Sequence, residues 1–481
     1  MMALRGRSGL SPSGMHKRMD NVTIKSIELE GIHQRYDLNI NFFDSLNVLH
    51  GQNGTGKSTL VHILANLANC DFLRFIYLDF KSIIVGYSSG LRLGIFKSEG
   101  ENTYRIRNLN SLFDPGFIFF TEEALKSLAM TEEDKAPSRE YVSELTARLG
   151  VFVEKNGIPR IKTSYFPAFR TMLEAWSSQF EEDFRRFGRT SSYSIPTQKV
   201  TAFARNLFGK FLPVINYPSP LSIEHNLREE IRDAHLKIAR YESSVFSESF
   251  VKVFSAILSD EEGTAQEAER LLEEISELTT ETALNKLANL EGPSHTYGQL
   301  QNLVGKSRES KELASSATGA LKVYRDALKE RRDFQASIFA KIDKYFDAVN
   351  AFLEQKELHY VPDSSRRVPK VGLKFKDGAW SSIRVMSSGE RQLLTMLYAV
   401  TKMSSDSLVL IDEPELSLHI DWQEELLSKM MGQLGGRQII VCTHSPSIAS
   451  DYREFMIEVV PVLSNSASSR LEIADDEEEV N

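Results

Sequence analysis

The segment that most limits what this chain can fold into is Gly51-Gln52-Asn53-Gly54-Thr55-Gly56-Lys57-Ser58. A β-like run, Ser45–His50, leads into it with Leu46, Val48 and Leu49, and Ser58–Asn69 reads as a helix behind it. A glycine-rich turn between a buried strand and a helix is a phosphate-binding pattern. Glycines let backbone N–H groups approach an anion, and the helix N-terminus adds a partial positive charge. In such a loop Lys57 reaches β- and γ-phosphates and the Ser58 hydroxyl ligates Mg²⁺. Gly51, Asn53, Gly54, Gly56, Lys57, Ser58 and Thr59 are therefore the first candidate binding residues.

A second strand carries matching chemistry. Leu408-Val409-Leu410-Ile411 runs into Asp412-Glu413, which puts two carboxylates at the carboxyl edge of a parallel sheet, where ligands of such sheets bind. Asp412 is expected to hold the metal with Ser58, and Glu413 to orient and polarise an attacking water. Gln438–Cys442 is another continuous apolar run of the kind buried on both faces of a sheet.

Between these halves the pattern changes. Strand-like pieces at Val22–Leu29, Phe75–Leu78, Leu91–Phe96 and Phe117–Phe120 suggest an antiparallel layer beside the loop. From about Thr121 to Leu358 helical patterning takes over. Phe334, Ile338, Ile342, Tyr345, Val349 and Phe352 trace one helical face, and Leu271, Ile275 and Leu278 do the same in an acidic stretch. No sustained heptad run appears, and Asn216–Pro220 and Glu291–Ser294 interrupt the region, so a compact helical lobe is expected. Strand pattern resumes with Val371, Leu373 and Phe375, turns at Asp377-Gly378 and continues through Ile383 and Val385, as a hairpin does.

The expected organisation is an N-terminal extension over 1–20, a first half-domain over 21–120, a mainly helical insertion over 121–357, a second half-domain over 358–465 and an acidic tail over 466–481. The extension and the tail, with its acidic run Ala474–Val480, lack apolar content and are expected to be disordered. With Met15 and Met19 inside it, the extension could also reflect an upstream start codon. A net charge of −9 argues against a surface that is basic throughout, though a local basic patch stays open. Cys70 and Cys442 form no metal-ligand cluster, which fits a reducing cytoplasm. No apolar run reaches membrane-spanning length.

Met386-Ser387-Ser388-Gly389-Glu390-Arg391-Gln392, with a helix expected near Gln392, resembles the signature sequence of ABC-type ATPases. Pro414–His419 resembles the family's D-loop, and His444, thirty-one residues after Glu413, resembles its switch histidine. The order of loop, insertion, signature, acids and histidine is similar to the heads of SMC, RecF and overcoming-lysogenization-defect ATPases. Tyr165-Phe166-Pro167-Ala168-Phe169-Arg170 is similar to a Pro-Ala-x-Arg element of compact prokaryotic members, which include ATPase subunits of the PARIS, Septu and retron anti-phage systems. Ser58 and Ser387 lie 329 residues apart, far more than in transporter subunits and far less than long SMC arms need. No glutamine can be assigned to the family's Q-loop.

The resemblance implies an α/β ABC-type ATPase head, a P-loop NTPase, with a large helical insertion. It implies ATP and Mg²⁺ as cofactors and a homo-oligomer whose ATP is sandwiched between chains, with Ser387, Ser388, Gly389 and Glu390 completing the partner's site and with Glu413 and His444 as catalytic residues. It further implies a phage trigger and a separate nuclease effector of the Toprim class, since only 37 residues follow His444. A RecF- or SMC-like DNA-binding ATPase in repair stays open beside it.

Overall fold

The computed structural model describes residues 22–98, 100, 102–111, 114–132, 143–174, 197–258, 265–284, 318–361, 369–401, 403–404, 407–434 and 436–464. The N-terminal extension, the acidic tail and the interruption at Glu291–Ser294 lie outside these residues.

Two sheets enclose the phosphate-loop helix. Strands β1 (Ile24–Ile32) and β2 (Tyr36–Asn41) pair antiparallel, and β3 (Leu46–His50) leads into helix α1 (Lys57–Ala68). Strands β4 (Ser82–Tyr87), β5 (Arg92–Lys97), β6 (Thr103–Asn108) and β7 (Phe117–Phe120) extend the antiparallel layer, so three strands stand there that the sequence pattern did not separate, β2, β4 and β6. Helices α2 (Thr121–Glu132) and α3 (Glu144–Lys155) follow. Phe72–Tyr77 is a 3-10 helix, which corrects the strand expected at Phe75–Leu78. Phe72 and Phe75, three apart, both face the core, and an apolar run this short does not reveal its period.

The helical stretch contains one strand of consequence, β8 (Thr163–Phe166), ahead of α4 (Thr197–Phe208), α5 (Pro220–Leu258), α6 (Ala265–Leu284) and α7 (Thr318–Asn350). Among the described residues of this stretch, for which a compact lobe is the expectation, the longest elements are two paired helices. Helices α5 and α7, of 39 and 33 residues, run antiparallel, giving an arm about 50–58 Å long at about 1.5 Å per residue. Lys341 Nζ meets Glu230 at 2.6 Å at one level, and Tyr241 stacks on Phe334 and donates to Glu330 at 2.6 Å at another. Ile275 and Leu278 of α6 pack on Leu328 of α7. Alternating charged and aromatic contacts hold these helices without the strict heptads that the sequence lacks.

Strands β9 (Lys356–Val361), β10 (Lys370–Phe375) and β11 (Trp380–Ser381) form the expected hairpin and a third strand. Ile383–Val385 is a 3-10 turn rather than strand, because Ser382 caps it by accepting from the Arg384 N–H. Helix α8 (Ser388–Val400) starts four residues ahead of the expected Gln392. Ser387 accepts from the Glu390 N–H while the Glu390 carboxylate accepts from the Ser387 N–H at 2.6 Å, a reciprocal cap that fixes the first turn.

Strand β12 (Leu408–Asp412), helix α9 (Ile420–Gln433), strand β13 (Gln438–Cys442) and the short strands β14 (Met456–Glu458) and β15 (Val462–Leu463) complete the chain. The parallel sheet has the order β14-β3-β13-β12-β8, and β15 closes the edge of the antiparallel sheet on β2. Alternate residues serve two cores. Leu408, Leu410, Ile440 and Cys442 pack with α1 and the antiparallel layer, and Val409, Ile411, Ile439 and Val441 pack with α8, α9 and the bases of α5 and α7. Both faces being apolar, β3, β12 and β13 are forced to the centre and their carboxyl ends converge on one edge. The fold is an α/β head, a parallel sheet beside an antiparallel layer, with a helical insertion.

Candidate functional site

At that edge the loop after β3 meets the ends of β12 and β13. Gly54 and Gly56 hold φ of 80° and 85°, which side chains resist, and a Cβ on Gly56 would stand 2.1 Å from the Tyr36 hydroxyl. Lys57 is 5% exposed, and its ammonium donates to the carbonyls of Gly51 at 3.0 Å and Gln52 at 2.9 Å. The Ser58 hydroxyl lies 3.3 Å from Asp412 Oδ1, although 354 residues separate them.

Burial raises the Asp412 carboxyl above its ordinary value, against the hydrogen bond from Ser58 and the charges of Arg170 and Lys57. Glu413 sits next to it with a left-handed φ of 50°, and its Oε1 is 3.3 Å from His444 Nε2. Burial first, then a hydrogen bond to Glu415 and the charges of Glu415 and Asp412, push Glu413 up to about 8. A buried acid beside a half-buried one is a cation's environment. Among the described residues no three His, Cys, Asp or Glu side chains gather as a metal cage. One hydroxyl and one carboxylate suit Mg²⁺ that takes its remaining ligands from phosphate and water.

A cleft of about 590 Å³ opens over the loop. Gly54, Gly56, Lys57, Ser58 and Thr59 form its floor and His444 one wall. The opposite wall is the tip of the β1–β2 hairpin, with His33, Arg35 and Tyr36, joined by Pro461 and Leu463. Sequence reasoning missed this wall. The turn places His33 and Gln34, neither of them glycine, at φ of 53° and 58°, a strain of the sort found at ligand clamps.

Of the sequence candidates, Gly51 and Asn53 belong to the loop without lining the cleft, Asp412 and Glu413 reach it only through Ser58 and His444, and Ser387, Ser388, Gly389 and Glu390 lie outside it. Ser387 and Ser388 are exposed, and the Glu390 carboxylate is held by Lys356 at 2.9 Å. A Cβ on Gly389 would meet the Ser417 carbonyl at 2.6 Å, so that glycine lets α8 lie against the segment after the acids. Glu415 was read only as part of a loop. Its Oε1 accepts from the Thr443 hydroxyl at 2.9 Å and from the backbone N–H groups of His444 at 2.8 Å and Ser445 at 3.1 Å, so it holds the histidine's loop in place.

Comparison with known proteins gives the family. Residues 162–451 match the family described as "AAA domain, putative AbiEii toxin, Type IV TA system". The chain belongs to this family. Two further descriptions, "AAA domain" and "ATPase family associated with various cellular activities (AAA)", match residues 26–66 and 47–182. It is 27% identical over 98 residues to "Retron Vc95 probable ATPase" of Vibrio cholerae serotype O1 biovar El Tor, covering 18% of this chain and 19% of that one. It is 26% identical over 155 residues to "Retron Ec83 probable ATPase" of Escherichia coli, covering 30% of this chain and 27% of that one. The chain thus spans about a quarter or less of the length of these curated relatives. The Smc head domain of Pyrococcus furiosus with an extended coiled coil, solved bound to the C-terminal domain of ScpA, aligns over 95% of this chain and all of its own. Its identity is 11% and its TM-score 0.38, too loose a likeness to carry an argument.

Proposed function

We propose that the protein binds and hydrolyses ATP with Mg²⁺ at composite sites formed between two of its chains, and that this cycle governs a separate effector in an anti-phage system. The carrying observation is that Lys57, Ser58 and His444 line one cleft at the ends of parallel strands, with Asp412 3.3 Å from the Ser58 hydroxyl and Glu413 3.3 Å from His444 behind them. Loop N–H groups and Lys57 hold the phosphates, and the hairpin tip with Tyr36 faces the remainder of the nucleotide. Ser58 and Asp412 would hold Mg²⁺, which supplies neutralisation of phosphate charge. Glu413, with its proton affinity raised toward neutrality, takes the proton of the attacking water, and His444 beside it contacts the transferring phosphoryl group.

Exposed Ser387 and Ser388 at the N-terminus of α8 offer hydroxyls and N–H groups suited to a γ-phosphate of a second chain. The toxin–antitoxin wording of the family and the retron relatives support a place in defence; the effector proposed for it is a separate Toprim-type nuclease, in an arrangement like that of the PARIS ATPase. Among the described residues no helix is long and apolar enough to cross a membrane. Purification of the tagged protein from its host tests the assignment. A co-eluting nuclease supports it, whereas duplex DNA alone would favour the repair reading.

A further inference from the structure

A buried cation outside the cleft lining touches the backbone of the two acids. Arg170 follows β8, the strand paired with β12, and is 1% exposed. Its Nη1 donates to the carbonyls of Pro167 at 3.2 Å and Asp412 at 3.1 Å. Its Nη2 lies 3.0 Å from the Glu413 carbonyl, 3.2 Å from that of Pro414 and 3.3 Å from that of Leu416. The same nitrogen reaches the side-chain oxygen of Gln392 on α8 at 3.0 Å. A guanidinium is suited to this, with five donors in a rigid fork and a charge it does not give up. A second link runs parallel to it, as Glu174 on the same segment faces Arg391 of α8 at 3.8 Å.

We infer that Arg170 is a positioning residue that couples the two kinds of half-site, tying the backbone of the acids Asp412 and Glu413 to the helix that carries Ser388. This deepens the composite-site reading and rests on it. Glu413 adopts a left-handed backbone that a non-glycine residue keeps only when its surroundings impose it. The Arg170 fork grips the carbonyl of that residue and those on either side. Through Gln392 it also grips the second turn of α8, so the placement of Glu413 depends on where α8 sits. A second chain's phosphate docking at Ser388 would move α8, and the shift would reach the catalytic carboxylate through Arg170. Gln392 is wholly buried; among the described residues its amide nitrogen has no partner, and its side-chain oxygen accepts from Arg170.

The test is a double-mutant cycle on the full-length protein. Gln392→Met keeps volume and apolar packing and cuts only the link to α8. Arg170→Lys keeps the charge and loses the fork. Both single variants are expected to keep ATP affinity within about threefold of wild type, to lose about tenfold or more in kcat, and, combined, to lose no more than the worse single variant. Gln392→Glu, which restores an acceptor, is expected to recover part of kcat. A merely structural arginine would lower the melting temperature and leave kcat alone in the Gln392→Met protein. Losses that multiply in the double variant, or wild-type kcat in Gln392→Met, overturn the coupling. If Arg170→Lys does not fold, Gln392→Met and Gln392→Glu decide the matter. Wild-type protein that hydrolyses ATP as an isolated chain sinks the composite-site reading and this inference together.

Discussion

Replacing Glu415 with Ala should misplace His444 and slow hydrolysis while leaving ATP binding nearly intact. Glu415 Oε1 is the acceptor for three donors on the 443–445 loop. A hydrogen bond to a charged acceptor contributes about 1.5–3 kcal/mol, but the three losses do not simply add. The Ser445 N–H keeps the Thr443 hydroxyl at 2.9 Å, and the half-open His444 side chain, 37% exposed, lets water reach its own N–H. A net destabilisation of about 2–3 kcal/mol is expected for Ala. Gln retains an acceptor oxygen in the same place and should cost about 1 kcal/mol or less. For activity, a displaced histidine should lower kcat about 10–100-fold, or about 1.4–2.7 kcal/mol of barrier, with the ATP dissociation constant changed by less than about threefold. Thermal melts and steady-state ATPase assays on the Ala and Gln proteins measure both. An Ala protein with wild-type kcat, or a Gln protein as slow as Ala, would refute the reasoning.

Lys57→Ala removes the buried cation of the loop and should weaken ATP binding at least about tenfold, read by isothermal titration. Glu413→Gln should hold ATP but turn it over orders of magnitude more slowly, leaving ATP as the recovered nucleotide. The same variant carries a pH signature in nucleotide-free protein. Folding raises Glu413 from 4.5 to about 8, so the folded chain binds a proton that the unfolded one releases. That contribution is complete at low pH and is lost as pH rises through this window. The melting temperature of Glu413→Gln relative to wild type should therefore rise between pH about 5 and about 8. A flat difference would mean that the carboxyl is not so raised.

The phosphate loop, the Asp412-Glu413 strand end and the strand before His444 were legible because each joins a continuous apolar run to a fixed pattern of small and charged residues. Period-3.6 spacing likewise showed the α7 face, where Ile342, Tyr345 and Val349 are buried. What stayed hidden has physical reasons. The 3-10 helix at Phe72–Tyr77 shares its composition with a strand. The turn at His33–Gln34 puts non-glycine residues at positive φ, and Gly31 ahead of it is a lone glycine in a strand pattern, so the hairpin did not stand out. The work of Arg170 and Glu415 depends on contacts across 242 and 29 residues of sequence, to the Asp412 carbonyl and the His444 N–H. No local pattern records such contacts. The α5–α7 pairing rests on scattered salt bridges and stacked rings instead of heptads, so its length could be read from neither helix alone.

The central claim is that each site needs two chains. Mixing Lys57→Ala protein with Ser388→Arg protein, each inactive alone, measures this most directly. A mixed dimer keeps one site in which the intact Lys57 loop of one chain faces the intact Ser388 helix of the other. With random assortment and independent sites, half the dimers are mixed and each carries one working site, so about a quarter of wild-type ATPase should return. Full activity of the Ser388→Arg protein by itself, or stable mixed dimers with no recovered hydrolysis, would contradict the account.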